Sequence, residues 1–192
     1  DGVLFPGIVL PLQLSEPLAV SLVHDAMAEG GFLGVGMERK SRQSSRAFYK
    51  IGCLARIVHL ERDEDGSWNV LLRGMQRVRL LQELVTEKPY RCFKAEALPP
   101  CEPNFAGQES ALALARFYHC LCRITYGVAQ YEKDLLEILH STNDLVQLVD
   151  TLSAVLIGSV QSQQQLLETI DFFSRIERLS LMLSEMLPKY VK

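Results

Sequence analysis

Two short runs carry residue types and spacings that could do chemistry. Gly31-Phe-Leu-Gly-Val-Gly36 has the glycine spacing of a phosphate cradle. Such a cradle needs Lys and then Ser or Thr after its last glycine, so that an ammonium can reach the phosphates. Met37 stands there instead, and Phe32 to Met37 reads as a buried strand. The second run, His119-Cys120-Leu121-Cys122, resembles half of a metal site. Structural zinc takes four ligands, typically as two short-spaced pairs on turns. This run falls inside an expected helix, and its second pair would have to come from distant Cys92 and Cys101, so packing thiols are the better reading. Ser44-Ser45 and Ser141 sit in no nucleophile elbow, and no zincin helix occurs. His59 falls on an expected strand, and His24 and His140 on expected helices. No catalytic residue, cofactor or metal is expected.

Binding chemistry has more to work with. Arg56, Arg62, Arg73, Arg77 and Arg79 fall on neighbouring expected strands and could form a basic face for nucleic acid. Acids interleave with them, so pairing with Glu61, Asp63, Asp65 and Glu83 on a solvated face is the favoured reading. The 192-residue chain agrees, with 20 Lys+Arg against 23 Asp+Glu and a net charge of -3. Phosphate binding normally needs a basic excess, which disfavours nucleic acid as a partner. No apolar run reaches the ~18 residues of a membrane span, and the opening, with Pro6, Pro11 and Pro17, lacks a signal-peptide pattern. Five cysteines is an odd number, set mostly among apolar neighbours, which reads as reduced thiols in a cytoplasmic protein rather than a disulfide framework.

The elements that must position these residues change character near residue 100. Ile8 to Leu14, Phe32 to Met37, Cys53 to Arg62, Trp68 to Gly74, Gln76 to Val85 and Tyr90 to Leu98 read as strands. Asp63-Glu64-Asp65-Gly66 is a hairpin signal. One helix opens at Ser15-Glu16-Pro17, with Ser15 as expected N-cap, and Gly30-Gly31 end it. Residues 38–50 form an unpatterned, basic, Ser-rich loop. Six or seven short strands with one helix predict a closed or nearly closed barrel, since closure removes exposed edges. Pro99 to Asn104 reads as a linker. Helices follow over Gln108 to Tyr126, Tyr131 to Leu139, Leu145 to Leu156, Ser162 to Ile170, and from Phe172 to a stop at Pro188. The domain reading is a β-barrel-like unit over 1–98, a linker over 99–107 and an α-helical unit over 108–192.

Val3-Leu-Phe-Pro-Gly-Ile-Val-Leu-Pro-Leu12 resembles the opening signature of the Lon protease N-terminal domain family. Gly52-Cys-Leu-Ala-Arg-Ile-Val-His-Leu-Glu-Arg62, Asp65-Gly66 and Val70-Leu-Leu-Arg-Gly-Met-Gln-Arg-Val-Arg79 resemble its hairpin and following strand. Pro89-Tyr90-Arg91 matches the start of its last strand, and Leu145 to Leu156 with Gln163-Gln-Gln-Leu-Leu-Glu168 its helical half. The resemblance covers nearly the whole chain, in order. It implies an α+β fold, a PUA-type β-pseudobarrel with one short helix followed by an α-helical bundle. It also implies recognition of unfolded or specific protein segments without catalysis. Full Lon proteases carry ATPase and serine-lysine protease modules that have no counterpart here. The chain therefore looks like a stand-alone bacterial Lon-domain protein, with an excised N-terminal domain of a full-length protease, or a nucleic-acid-binding barrel, as the alternatives. Expected partners are protein or peptide segments, with a separate ATPase or protease as a further one. Phe5-Pro6-Gly7 and Gly74 are read as fold residues. Candidate partner-binding residues are Phe48 and Tyr49, beside the 38–47 stretch, and Met75 as a weaker third; tucking into the edge of the core is the competing reading for all three.

Overall fold

Phe5 is fully buried, and Gly7, at φ 81°, turns the chain behind it into the first strand. The computed structural model describes residues 2–39, 47–127, 136–139, 142 and 144–186. The chain divides into two compact units, Asp1–Pro99 and Pro100–Lys192.

In the first unit the strands are β1 (Val9–Leu14), β2 (Phe32–Val35), β3 (Glu38–Arg39), β4 (Ala47–Phe48), β5 (Ile51–Arg62), β6 (Trp68–Leu84) and β7 (Cys92–Ala97). Helix α1 (Pro17–Ala28) lies between β1 and β2 in sequence. The main sheet has the order β1-β6-β5-β2, with β7 also on β6. All of these pairings are antiparallel. The sheet is open, which corrects the expectation of closure. Since β5 lines one edge of β6 from Trp68 to Arg79, β1 and β7 share the opposite edge end to end. The strand order therefore never returns on itself.

Two expected strands, 68–74 and 76–85, are one continuous β6. Met75 is an extra residue in a bulge facing Leu54 and Ala55, which bends the strand without ending it. Gly74 is required by contact: a Cβ there would stand 2.1 Å from the Phe5 carbonyl oxygen. The backbone of Gly74 also bonds Gly7 and Ile8, at 2.8 Å each. The inner face of the sheet buries Leu4, Leu33, Cys53, Ala55, Ile57, Val70 and Leu72 against Val23 and Ala26 of α1. The N-cap of α1 is Glu16, whose side chain caps nothing, rather than the expected Ser15. Pro17 in the first turn removes one donor that a cap would serve. The stretch expected to be a plain loop carries a small ladder, β3 against β4. Residues 40–46 lie outside the described residues, as do Ser44 and Ser45.

In the second unit the helices are α2 (Gln108–Gly127), α3 (Leu145–Leu156), α4 (Val160–Glu168) and α5 (Phe172–Met186), with a helical turn at 136–139. Asp144 caps α3 by accepting from the backbone amides of Val146 and Gln147, and Ser159 caps α4 through Ser162. Phe117, Leu121, Ile124, Val149, Leu152, Leu166, Ile176, Leu179 and Leu183 make its core, at the helical spacing the sequence shows. Residues 131–135, His140, Ser141 and Pro188 lie outside the described residues.

Candidate recognition site

The β3–β4 ladder delivers Phe48 and Tyr49 to the start of β5, with the Tyr49 amide donating to the Met37 carbonyl at 3.0 Å. Phe48 is half-buried, and its ring lies 5.1 Å from that of Phe93 on β7, tilted by 59°. Arg91 covers both rings, its guanidinium 4.3 Å from the Phe48 centroid and 5.4 Å from that of Phe93. The same guanidinium donates to both carboxylate oxygens of Glu83, from Nε at 2.6 Å and Nη2 at 2.5 Å. A bidentate fork of this kind fixes orientation as well as charge. Hydrogen bonding from Arg91 holds the Glu83 carboxyl below its ordinary range, and Glu83 in turn raises Arg91. In register, Glu83 faces Phe93 across the β6–β7 ladder, so one cross-strand pair anchors the arrangement.

Around it lies a shallow depression of about 240 Å³, lined among others by Phe48, Tyr49, Leu80, Leu81, Arg91 and Phe93. Leu81 is the extra residue of the β6 bulge and is exposed. Aromatic and aliphatic walls with a pinned guanidinium suit an apolar side chain on a polypeptide. Of the three expected residues, Phe48 and Tyr49 line this depression together. Met75 is exposed at its own bulge and is not among the lining residues. Phe93, Leu81 and Arg91 were not singled out from the sequence. Tyr90 to Leu98 reads as a strand, but only pairing shows what it faces.

One of the expected acids and three of the arginines have other neighbours. Glu83 is taken by Arg91, while Arg56, Arg62 and Arg77 lie over the rings of Phe32, Trp68 and Phe5 at 5.8, 6.0 and 6.0 Å. The strand register sets Arg56 opposite Phe32 and Arg62 opposite Trp68, so an aromatic side chain is the direct cross-strand neighbour of each. On α2, burial pushes the Cys120 thiol up, and its sulfur donates to the Ser180 carbonyl at 3.6 Å. Cys122 is exposed, because residues two apart on a helix face apart. None of the five cysteines is in a disulfide. Among the described residues, no group of three or more His, Cys, Asp or Glu side chains converges as a metal site, and no helix is long and apolar enough to cross a membrane.

Comparison with known proteins addresses the chain as a whole. The profile of the ATP-dependent protease La (LON) substrate-binding domain family matches residues 1–185. The chain is 27% identical over 189 residues to a Lon protease of Methylocella silvestris, covering 95% of this chain and 23% of that protein. A Lon protease of Flavobacterium johnsoniae is 36% identical over 93 residues, 47% of this chain and 11% of that protein. The chain thus spans less than a quarter of the length of these relatives. Among solved structures, the N-terminal domain of a Mycobacterium avium complex Lon protease superposes with TM-score 0.77 at 21% identity, covering 97% of this chain and 95% of that one. A Lon N-terminal domain protein from Xanthomonas campestris gives 0.62 at 20% identity, covering 95% and 92%. From its sequence profile and its fold, the chain belongs to the Lon substrate-binding domain family.

Proposed function

We propose that the chain is a non-catalytic module that binds unfolded or exposed protein segments through the depression at Phe48, Tyr49, Leu81 and Phe93. It does so in the cytoplasm and hands segments to a separate ATPase or protease. The observation that carries this reading is the match to a substrate-binding family along residues 1–185. The depression supports it physically. Its one carboxylate, Glu83, is already engaged by Arg91, so what it offers a ligand is apolar contact rather than acid–base chemistry.

The test is a titration of the purified chain into fluorescently labelled, reduced and carboxymethylated α-lactalbumin, a permanently unfolded protein, with no nucleotide present. Saturable binding, stronger than to the native form of the same protein, is the expected result. The chain should neither hydrolyse ATP nor cleave casein. Absence of binding to the unfolded form, or turnover abolished by changing one of the chain's own residues, overturns the reading.

A further inference from the structure

Strands β1, β6, β5 and β2 lie side by side, and the register sets Val9, Arg73, Arg56 and Phe32 in one row across all four. All four side chains are exposed, Val9 at 48% and Phe32 at 45%. Their strand neighbours Leu33, Ala55, Ile57 and Leu72 are buried. The row therefore stands on the face turned away from the core, since side chains alternate along a strand.

Two arginines are thus direct cross-strand neighbours, an arrangement that destabilises a sheet. Arg56 lies over the Phe32 ring, which accommodates its position without neutralising its charge. The next row on one side holds Gly34, Leu54 and Gln76, and on the other His59, Leu71 and Pro11. Neither row contains a carboxylate. The nearest acid on this face, Glu61, stands one row further out, with its Oε2 3.3 Å from His59 Nε2. Beside the arginines, Val58, the extra residue of the β5 bulge, is exposed at 49%. Guanidinium groups that pair with no carboxylate among the described residues, set among exposed apolar side chains, complement a ligand that brings both carboxylates and apolar groups.

We propose that this four-strand face docks an acidic, apolar polypeptide segment. Arg56 and Arg73 hold its carboxylates, and Phe32, Val9 and Val58 receive its apolar side chains. The inference rests on the protein-binding reading but uses none of the residues of the Phe48 depression, so the two fail separately.

The test compares two fluorescein-labelled synthetic peptides, one alternating Glu with Leu and one with Gln in place of every Glu. At low salt the Glu peptide should bind at least tenfold more tightly than the Gln peptide. Arg56→Thr/Arg73→Thr should erase that preference, while the Phe48→Ala/Tyr49→Ala variant retains it. The Thr variant should also unfold at the same or higher urea concentration, because relief of the like-charge pair and good strand propensity both favour the sheet. A merely structural role for the arginines predicts a lower midpoint instead. Equal affinity for the two peptides, or an acid preference that survives in the folded Thr variant, overturns the proposal. So does a single-stranded RNA of equal charge that binds more tightly than the Glu peptide and is lost in the same variant.

Discussion

Gly74 shows how one missing side chain can hold a fold together. Its hydrogen atom lets the Phe5 carbonyl approach, where a Cβ would stand 2.1 Å away. Gly74→Ala must push apart two bonded backbones, and should cost about 3 kcal/mol, as severe overpacking does. Gly34, on β2, has nothing within 4 Å of the same atom. Gly34→Ala should therefore lie within about 0.5 kcal/mol of wild type; urea unfolding of the two variants side by side measures the contrast. The helical unit holds a different kind of critical residue. Arg175 on α5 and Asp150 on α3 form an ion pair at 3.5 Å with side chains 0% and 2% exposed. Removing one partner takes away part of what compensates a buried charge, so Asp150→Ala should lose about 3–5 kcal/mol. The paired replacement Asp150→Leu/Arg175→Met should recover most of that loss. A double variant as unstable as the single one would show that the pair is not what couples these positions.

At the scale of elements, the β6–β7 connection is tied to α1 by one carboxylate. Lys88 Nζ and the Tyr90 hydroxyl both donate to Asp25 Oδ2 at 2.6 Å. These bonds, Lys88 first, hold Asp25 below its ordinary 3.8, while Asp25 raises Tyr90 above 10.0 and Lys88 above 10.5. The Asp25 contribution is complete above its ordinary value and is lost as pH falls through the lowered one. The Tyr90 and Lys88 contributions are complete below their ordinary values and are lost as pH rises through the raised ones. Asp25→Asn should therefore destabilise at neutral pH, with the gap to wild type narrowing below about pH 4 and above about pH 10. Parallel curves would show that the clasp carries nothing. Asp25, Lys88 and Tyr90 gave no sign of this clasp in the sequence, because it joins a helix to a distant turn. Local signals were legible where local physics decides: the expected span of α3 matches, since Asp144 caps the helix. The β3–β4 ladder was not legible, as two-residue strands carry no period. Nor was the continuity of β6, where Gly74-Met75 looks like an ending and is a bulge. The Phe48 depression was half legible: Phe48 and Tyr49 stand beside a polar stretch of sequence, but Phe93 and Arg91 reach them only through strand pairing.

At the scale of the whole molecule, the division falls at Pro99–Pro100, and Phe105 packs on Phe172 and Phe173 within the helical unit, at 6.1 and 5.9 Å between centroids. Mild proteolysis should first cut in 99–104 or within 38–47, and a cut at the former should give two fragments of similar mass. First cuts inside 145–156 or 68–80 would contradict the division. The central claim, that this member of the Lon substrate-binding family holds protein segments at the Phe48 depression, has a more direct test. Anchor aromatics typically contribute about 2 kcal/mol or more to such contacts. Phe48→Ala/Tyr49→Ala should weaken binding of labelled, unfolded α-lactalbumin at least tenfold, that is by about 1.4 kcal/mol. Loss of the ring pair and the Arg91 contact should cost about 1–2 kcal/mol of stability and leave the chain folded. Affinity and unfolding midpoint measured on the same preparations decide the matter: a folded double variant with tenfold weaker binding is the predicted result, and a folded double variant that binds as tightly as wild type contradicts it.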